Sequence, residues 1–211
     1  MRKSSREGIA PLYIIIGGVI VLLIIIVAVS GGAGFKFNIS KNSESSPSSS
    51  SEQQTASYEN YENKDYGISM NYPGDWRMQE GTTTDPIVSF FSPREGSDDQ
   101  FSENINVTVT DLSAFPDLSL TEVADIWVQE NESNPSFTSF EVVSRESTSV
   151  SGLGAEQVTY TAKGQGLSVK GRTTIVLKDS SAYIFTYSAE AKSFDTFLKG
   201  LETALSSTVL N

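Results

Sequence analysis

The chain has 211 residues, no cysteine, no histidine and a formal net charge of −11. Without cysteine there are no disulfides and no thiol chemistry. Without histidine there is no Ser-His-Asp or Cys-His triad, no histidine acid or base, and few ways to build a zinc site. From Tyr58 onward, ten Lys or Arg stand against 23 Asp or Glu, a net charge near −13. This charge argues against nucleic-acid backbones and anionic lipid surfaces as partners.

The N-terminal part contains an uncharged apolar run at residues 12–29, LYIIIGGVIVLLIIIVAV. Its 18 residues would form about 27 Å of helix, close to the bilayer hydrocarbon thickness of about 30 Å. Arg2, Lys3 and Arg6 precede the run, so the positive-inside rule leaves residues 1–11 in the cytoplasm. The sequence therefore predicts a single-pass anchor in the cell membrane, with the C-terminal domain outside the cytoplasm.

Two other interpretations of this segment stay open. A signal peptidase could cut near Val29, which would release a secreted form, although the apolar run is long for a signal core. Residues 6–11, REGIAP, loosely resemble a pilin-like leader whose pattern Glu7 interrupts. A lipidated cysteine is excluded, because the chain has no cysteine.

Residues 30–57 are predicted to be a flexible, Ser-rich linker. Nine of the 20 residues at 38–57 are serine and only Ile39 is strongly apolar, so the segment cannot offset its ordering entropy. N-glycosylation sequons begin at Asn38, Asn106 and Asn131. They matter only in a host that glycosylates exported proteins.

The remaining residues, 58–211, are predicted to form one domain. Apolar and polar residues alternate at 66–72 and 105–109, as in half-buried strands. Further strands are predicted at 87–91, 140–145, 155–162, 169–177 and 183–188, with hairpin-length connections between the later ones. The turn signals Pro73-Gly74-Asp75 and Asp179-Ser180-Ser181 end two of these strands.

Two helices interrupt the strands. Ser119 and Glu122 form a capping box, which predicts a helix that runs to about Glu130. A second helix is predicted from about Ser193, with an apolar stripe at Phe194, Phe197, Leu198, Leu201 and Leu205. The order of elements predicts an α+β fold in which an antiparallel β-sheet is flanked by helices.

The domain also carries a series of short motifs: YGI at 66–68, YPGDW at 72–76, GLGAEQVTY at 152–160 and YIFTYSA at 183–189. In this order they resemble the PsbP family, the extrinsic photosystem II proteins and their non-photosynthetic relatives. The resemblance covers nearly the whole domain and implies an α/β/α sandwich around an antiparallel sheet. It also implies a binding or assembly role without catalysis, and the histidine ligands proposed in plant relatives have no counterpart here.

Few residues are candidates for chemistry. Asp98, Asp99 and Glu103 are candidates for a calcium site completed by backbone carbonyls, although their spacing is not that of an EF-hand. A solvated acidic loop is the alternative. A serine beside Lys170 or Lys178 could form a Ser-Lys dyad, but no nucleophile motif surrounds any serine. The sequence therefore predicts neither catalytic residues nor a cofactor.

Together these features predict a membrane-anchored, extracytoplasmic PsbP-like domain that is not an enzyme. Its expected role is binding or assembly, most directly with a protein partner at a membrane complex. The alternatives are a calcium- or small-ligand-binding surface module and a cleaved, secreted form of the same domain.

Overall fold

The computed structural model of the chain describes residues 57–81, 86–96, 99, 101–164 and 166–211. The predicted anchor at 12–29 and all but the last residue of the predicted linker lie outside these ranges. Within them, no helix is long and apolar enough to cross a membrane.

The described residues form two antiparallel sheets and two helices. The strands are β1 Tyr58–Asn63, β2 Ile68–Pro73, β3 Arg77–Glu80, β4 Val88–Phe91, β5 Asn104–Asp111, β6 Ser139–Val150, β7 Leu153–Gly164, β8 Leu167–Lys178, β9 Ser181–Glu190 and β10 Val209–Leu210. The helices are α1 Leu120–Glu132 and α2 Phe194–Ser207. Seven strands form a large sheet in the order β3-β4-β5-β9-β8-β7-β6, and β1-β2-β10 form a small one.

The large sheet lies between two layers, each with its own apolar core. On one face, α1 packs on β6, β7 and β8 through Val123, Ala124 and Trp127. On the other, α2 and the small sheet close over the large sheet through residues such as Phe194 and Leu201. The alternation of side chains along each strand supplies both cores, because successive residues point to opposite faces.

Local sequence explains the main hairpin and the first helix. Ser151 and Gly152 both have positive φ, the combination that a two-residue hairpin between β6 and β7 requires. At the start of α1, the Ser119 side chain accepts from the Glu122 backbone N–H, and the Glu122 side chain accepts from the Ser119 N–H. The capping box predicted from the sequence is therefore confirmed.

The predicted α+β class, the seven predicted strands and both helices are confirmed, and the layers form the expected α/β sandwich. The prediction of one sheet is incomplete, because β1, β3 and β10 were not expected. β1 and β10, which lie at the two ends of the described sequence, both pair with β2 and form the second sheet. These strands are short or largely exposed, so they carry little of the apolar alternation on which a sequence prediction depends.

Candidate functional site

The loop at residues 92–103, between β4 and β5, contains the predicted calcium ligands; we name it the carboxylate loop. Asp98 lies outside the described residues. Asp99 uses one carboxylate oxygen to accept from the Glu95 N–H at 2.9 Å and the other to accept from the Phe101 N–H at 3.0 Å. Asp99 therefore shapes the loop through backbone hydrogen bonds on both of its oxygens.

Glu103 lies at the end of the same loop, directly before β5, and only 1% of its surface is exposed. Its Oε2 accepts from the Ser92 hydroxyl at 2.9 Å, and the Ser92 N–H donates to the Glu103 carbonyl at 2.8 Å. Burial raises the pKa of the Glu103 carboxyl, the hydrogen bonds lower it, and the charges of Asp99 and Glu95 raise it further. Glu103 is thus a buried, hydrogen-bonded carboxylate with two acidic neighbours.

A third contact ties the carboxylate loop to α2. The hydroxyl of Ser193, the N-cap residue of α2, donates to Glu95 Oε2 at 3.0 Å and makes no capping bond of its own. Across the described ranges, no three Asp or Glu residues are grouped so that they could hold a metal ion. Since Asp98 is not among those residues, the calcium site at Asp98, Asp99 and Glu103 stays a prediction.

A second buried carboxylate lies on α1, where sequence analysis did not expect one. Both carboxylate oxygens of Glu130 are buried and have no hydrogen-bond partner among the described residues. Burial alone raises the pKa of Glu130 to about 7. Glu130 follows Trp127 by three residues, which places both on the same side of α1. The sequence signal was present, because an acid lies in the apolar stripe of a helix.

An aromatic cluster packs under α1 and belongs to the core on that side of the large sheet. Trp127 packs on Tyr160 with ring centroids 5.5 Å apart, and Phe140 stacks on Tyr160 at 5.0 Å. Trp127 and Tyr160 are each 1% exposed. The Tyr160 ring lies over Gly171 of β8, and a Cβ atom at position 171 would collide with that ring. Tyr160 is therefore a core residue.

The two lysines considered for a Ser-Lys dyad have other contacts. Lys170 Nζ lies 4.1 Å from the centroid of the Phe194 ring, and Lys178 Nζ lies 3.0 Å from Asp179 Oδ2. Of the predicted sequons, Asn38 lies outside the described residues. Asn131 is 2% exposed and donates to the Trp127 carbonyl, so the folded domain shields it from modification.

Comparison with known proteins identifies the family. The model of the family described as PsbP-like protein matches residues 16–202, and the chain therefore belongs to this family. No curated protein matches the chain.

Several solved structures share the fold. The cyanobacterial PsbP protein CyanoP from Synechocystis sp. PCC 6803 superposes with a TM-score of 0.57 at 17% identity, covering 78% of this chain and 98% of CyanoP. LpqN of Mycobacterium tuberculosis, a protein involved in cell envelope biogenesis, gives 0.52 at 14% identity, covering 76% and 87%. The Saccharomyces cerevisiae Ran-binding protein Mog1p gives 0.53 at 10% identity, covering 74% and 96%. At these identities the likeness shows the fold alone.

Proposed function

We propose that the chain is a membrane-anchored, extracytoplasmic PsbP-like protein with a non-catalytic binding or assembly role, most directly protein–protein interaction at a membrane complex. The observation that carries the proposal is the PsbP-like family match over residues 16–202. The uncharged run at 12–29 supports the anchor, and the basic residues before it support a domain outside the cytoplasm.

The polar groups of the domain are consistent with a scaffold for binding. Ser92 and Glu103 bond each other in the interior, and both oxygens of Asp99 hold backbone N–H groups. Lys170, which a dyad would need as a base, packs on an aromatic ring. These contacts hold loops and strands in place, and a pre-organised surface loses less conformational entropy when it binds a partner.

Two of the fold neighbours are described by a role: Mog1p is a Ran-binding protein, and LpqN is involved in cell envelope biogenesis. Their partners are not carried over to this chain. They support the proposal only in that one protein with this fold, Mog1p, is named for binding another protein.

The test is to find where the chain is and what it contacts. Intact cells that produce the full-length chain are treated with an external protease, and a matched sample is crosslinked and fractionated. We expect the chain in the membrane fraction, its C-terminal domain cleaved from outside, and a discrete crosslinked species with another membrane protein. A protected chain in the soluble cytosolic fraction would contradict the anchor and the topology. A cut after residue 29, detected by N-terminal sequencing, would favour the secreted form.

A further inference from the structure

One part of the large sheet, on strands β7 and β8, carries polar side chains and the two cations Lys170 and Arg172. On the side of the large sheet that carries α2, the helix packs on β9 and on β2 of the small sheet. Farther along this face, cross-strand pairs between β7 and β8 join Thr159 with Arg172, Thr161 with Lys170, and Lys163 with Ser168. Directly opposed residues of an antiparallel pair point to the same side, so these six residues share one side of the sheet, which we name the open face. Thr159 is buried within it, and the other five keep contact with solvent.

Lys170 and Arg172 are held in place on the open face. The Lys170 Nζ lies 4.1 Å and the Arg172 Cζ 5.8 Å from the centroid of the Phe194 ring, both within cation–π range. Arg172 Nε also donates to the Thr159 hydroxyl at 3.4 Å. The Tyr187 hydroxyl donates to the Phe194 carbonyl at 2.8 Å and fixes the residue that supports both cations. Less side-chain entropy is therefore lost when these cations bind a partner.

Neither cation forms an ion pair with a described residue. In the part of the chain that the structure describes, the ion pairs involve Lys64, Arg145, Lys178 and Lys192, and none includes Lys170 or Arg172. Both side chains keep partial contact with solvent. A cation that is fixed by an aromatic ring and a hydroxyl keeps its charge available for an incoming anion.

The open face also differs in charge from the rest of the domain. Three of the ten Lys and Arg residues from Tyr58 onward lie on it, Lys163, Lys170 and Arg172, in a domain with a net charge near −13. Two acids of the edge strand β6 lie at the rim: Glu141 is opposite Thr161, and Glu146 is opposite Gln157, which points to the same side as Thr159. An acidic partner would be repelled by most of the surface and attracted here, so charge complementarity favours one docking orientation.

We propose that the open face docks an extended, acidic segment of a protein partner, with its carboxylates on Lys170 and Arg172. Alternate residues on a strand are about 6.8 Å apart, so carboxylates on alternate residues of an extended segment match the spacing of the two cations. The proposal rests on the protein-binding function proposed above and identifies the surface and the partner chemistry.

The test uses the full-length chain, purified in mild detergent, and fluorescence anisotropy at low ionic strength. The probe is a labelled peptide in which Glu alternates with Thr, and its matched control replaces every Glu with Gln. We expect the Glu peptide to bind and the Gln peptide not to bind. Affinity should fall about tenfold in the K170Q/R172Q double variant and decline as salt is added.

The matched protein control is K64Q/K178Q, which removes the same charge from two lysines that are already paired with Glu62 and Asp179. It should keep the wild-type affinity. If K170Q/R172Q unfolds, the exposed residue Lys163 offers a second variant, because K163E reverses a charge at the edge of the open face without disturbing the packing around Phe194.

Equal binding of the Glu and Gln peptides, or equal losses in the open-face and control variants, would overturn the proposal. So would binding of inorganic phosphate or of phosphatidylglycerol vesicles in place of the Glu peptide, since either result would assign the face to another anion. If the crosslinked partner is recovered equally well with K170Q/R172Q, the protein-binding function stands and the assignment to the open face fails.

Discussion

Glu103 and Glu130 are both glutamates whose carboxylates the fold withdraws from water, yet their surroundings differ. Glu103 accepts from Ser92 and lies in a loop that is closed by backbone hydrogen bonds. Glu130 has neither a hydrogen bond nor an ion pair among the described residues. Burial raises the pKa of both, but hydrogen bonds oppose the shift only at Glu103. The comparison shows that a buried carboxylate is not necessarily a hydrogen-bonded one. The hydrogen bond from Ser92 stabilises the charged form of Glu103, whereas Glu130 lowers the stability of the folded state whenever it is charged.

The largest loss of stability is expected when Glu103, like Glu130, has no side-chain hydrogen bond. Ser92→Ala removes the hydroxyl donor and leaves the buried carboxylate with less support, which should cost about 2 kcal/mol of unfolding free energy at neutral pH. Urea unfolding measures the loss. The control is Ser193→Ala, whose hydroxyl donates to the exposed Glu95 and should cost less than about 1 kcal/mol. Equal losses in the two variants would contradict the structural role of the Ser92–Glu103 pair.

The next effect comes from relieving Glu130. Glu130→Gln keeps the shape and removes the charge, so it should stabilise the domain at pH 8. Since the residue keeps some contact with solvent, the pKa shift is discounted to a gain of about 1 kcal/mol. Glu132→Gln, an exposed position on the same helix, is the control and should change little. A loss of stability in Glu130→Gln would mean that the charge has a partner.

The same contrast predicts a pH dependence for the wild-type chain. The pKa of Glu130 is raised to about 7 in the folded state from 4.5. The folded state therefore binds the proton more tightly than the unfolded one, and this contribution to stability is present below about pH 4.5 and lost as the pH rises through 7. Urea unfolding across this interval should show falling stability, with a shallower slope in Glu130→Gln. An unchanged slope in the variant would assign the pH dependence to other groups.

Particular residues show how much of the fold could be predicted from the sequence. The capping box at Ser119 and the apolar stripe of α2 are local signals, and both helices followed from them. β1 was missed because Tyr61 is its single buried residue, and β10 was missed because it has two residues and depends on pairing with β2. Family membership could also be predicted from the sequence. No single motif is specific for the family, but several of them occur in the expected order along the domain.

The candidate site was less accessible to sequence analysis. Asp98, Asp99 and Glu103 looked equivalent because they are neighbours in the chain, but the pairing of Ser92 with Glu103 places Glu103 in the interior. The grouping of Lys170 and Arg172 follows from strand alternation, yet their support by Phe194 depends on the packing of α2 against β9. Long-range packing therefore decides which charged groups lie in the interior and which keep contact with solvent.

The smallest expected effect concerns the calcium hypothesis for the carboxylate loop. If Asp98, Asp99 and Glu103 bind calcium with a Kd near 1 mM, about 1 mM Ca²⁺ should raise the Tm by about 1 °C, because binding to the folded state alone adds about 0.4 kcal/mol when the ligand concentration equals the Kd. Asp98→Asn together with Asp99→Asn should abolish the rise. No rise in the wild-type chain, or the same rise in the double variant, would remove the hypothesis.

The central claim is that this PsbP-like chain acts by holding a binding domain outside the membrane. Crosslinking of the full-length chain in intact cells, followed by isolation of the membrane fraction, tests it most directly. The account predicts one discrete adduct between the chain and another membrane protein. Recovery of the chain only in the cytosol and without an adduct would contradict it.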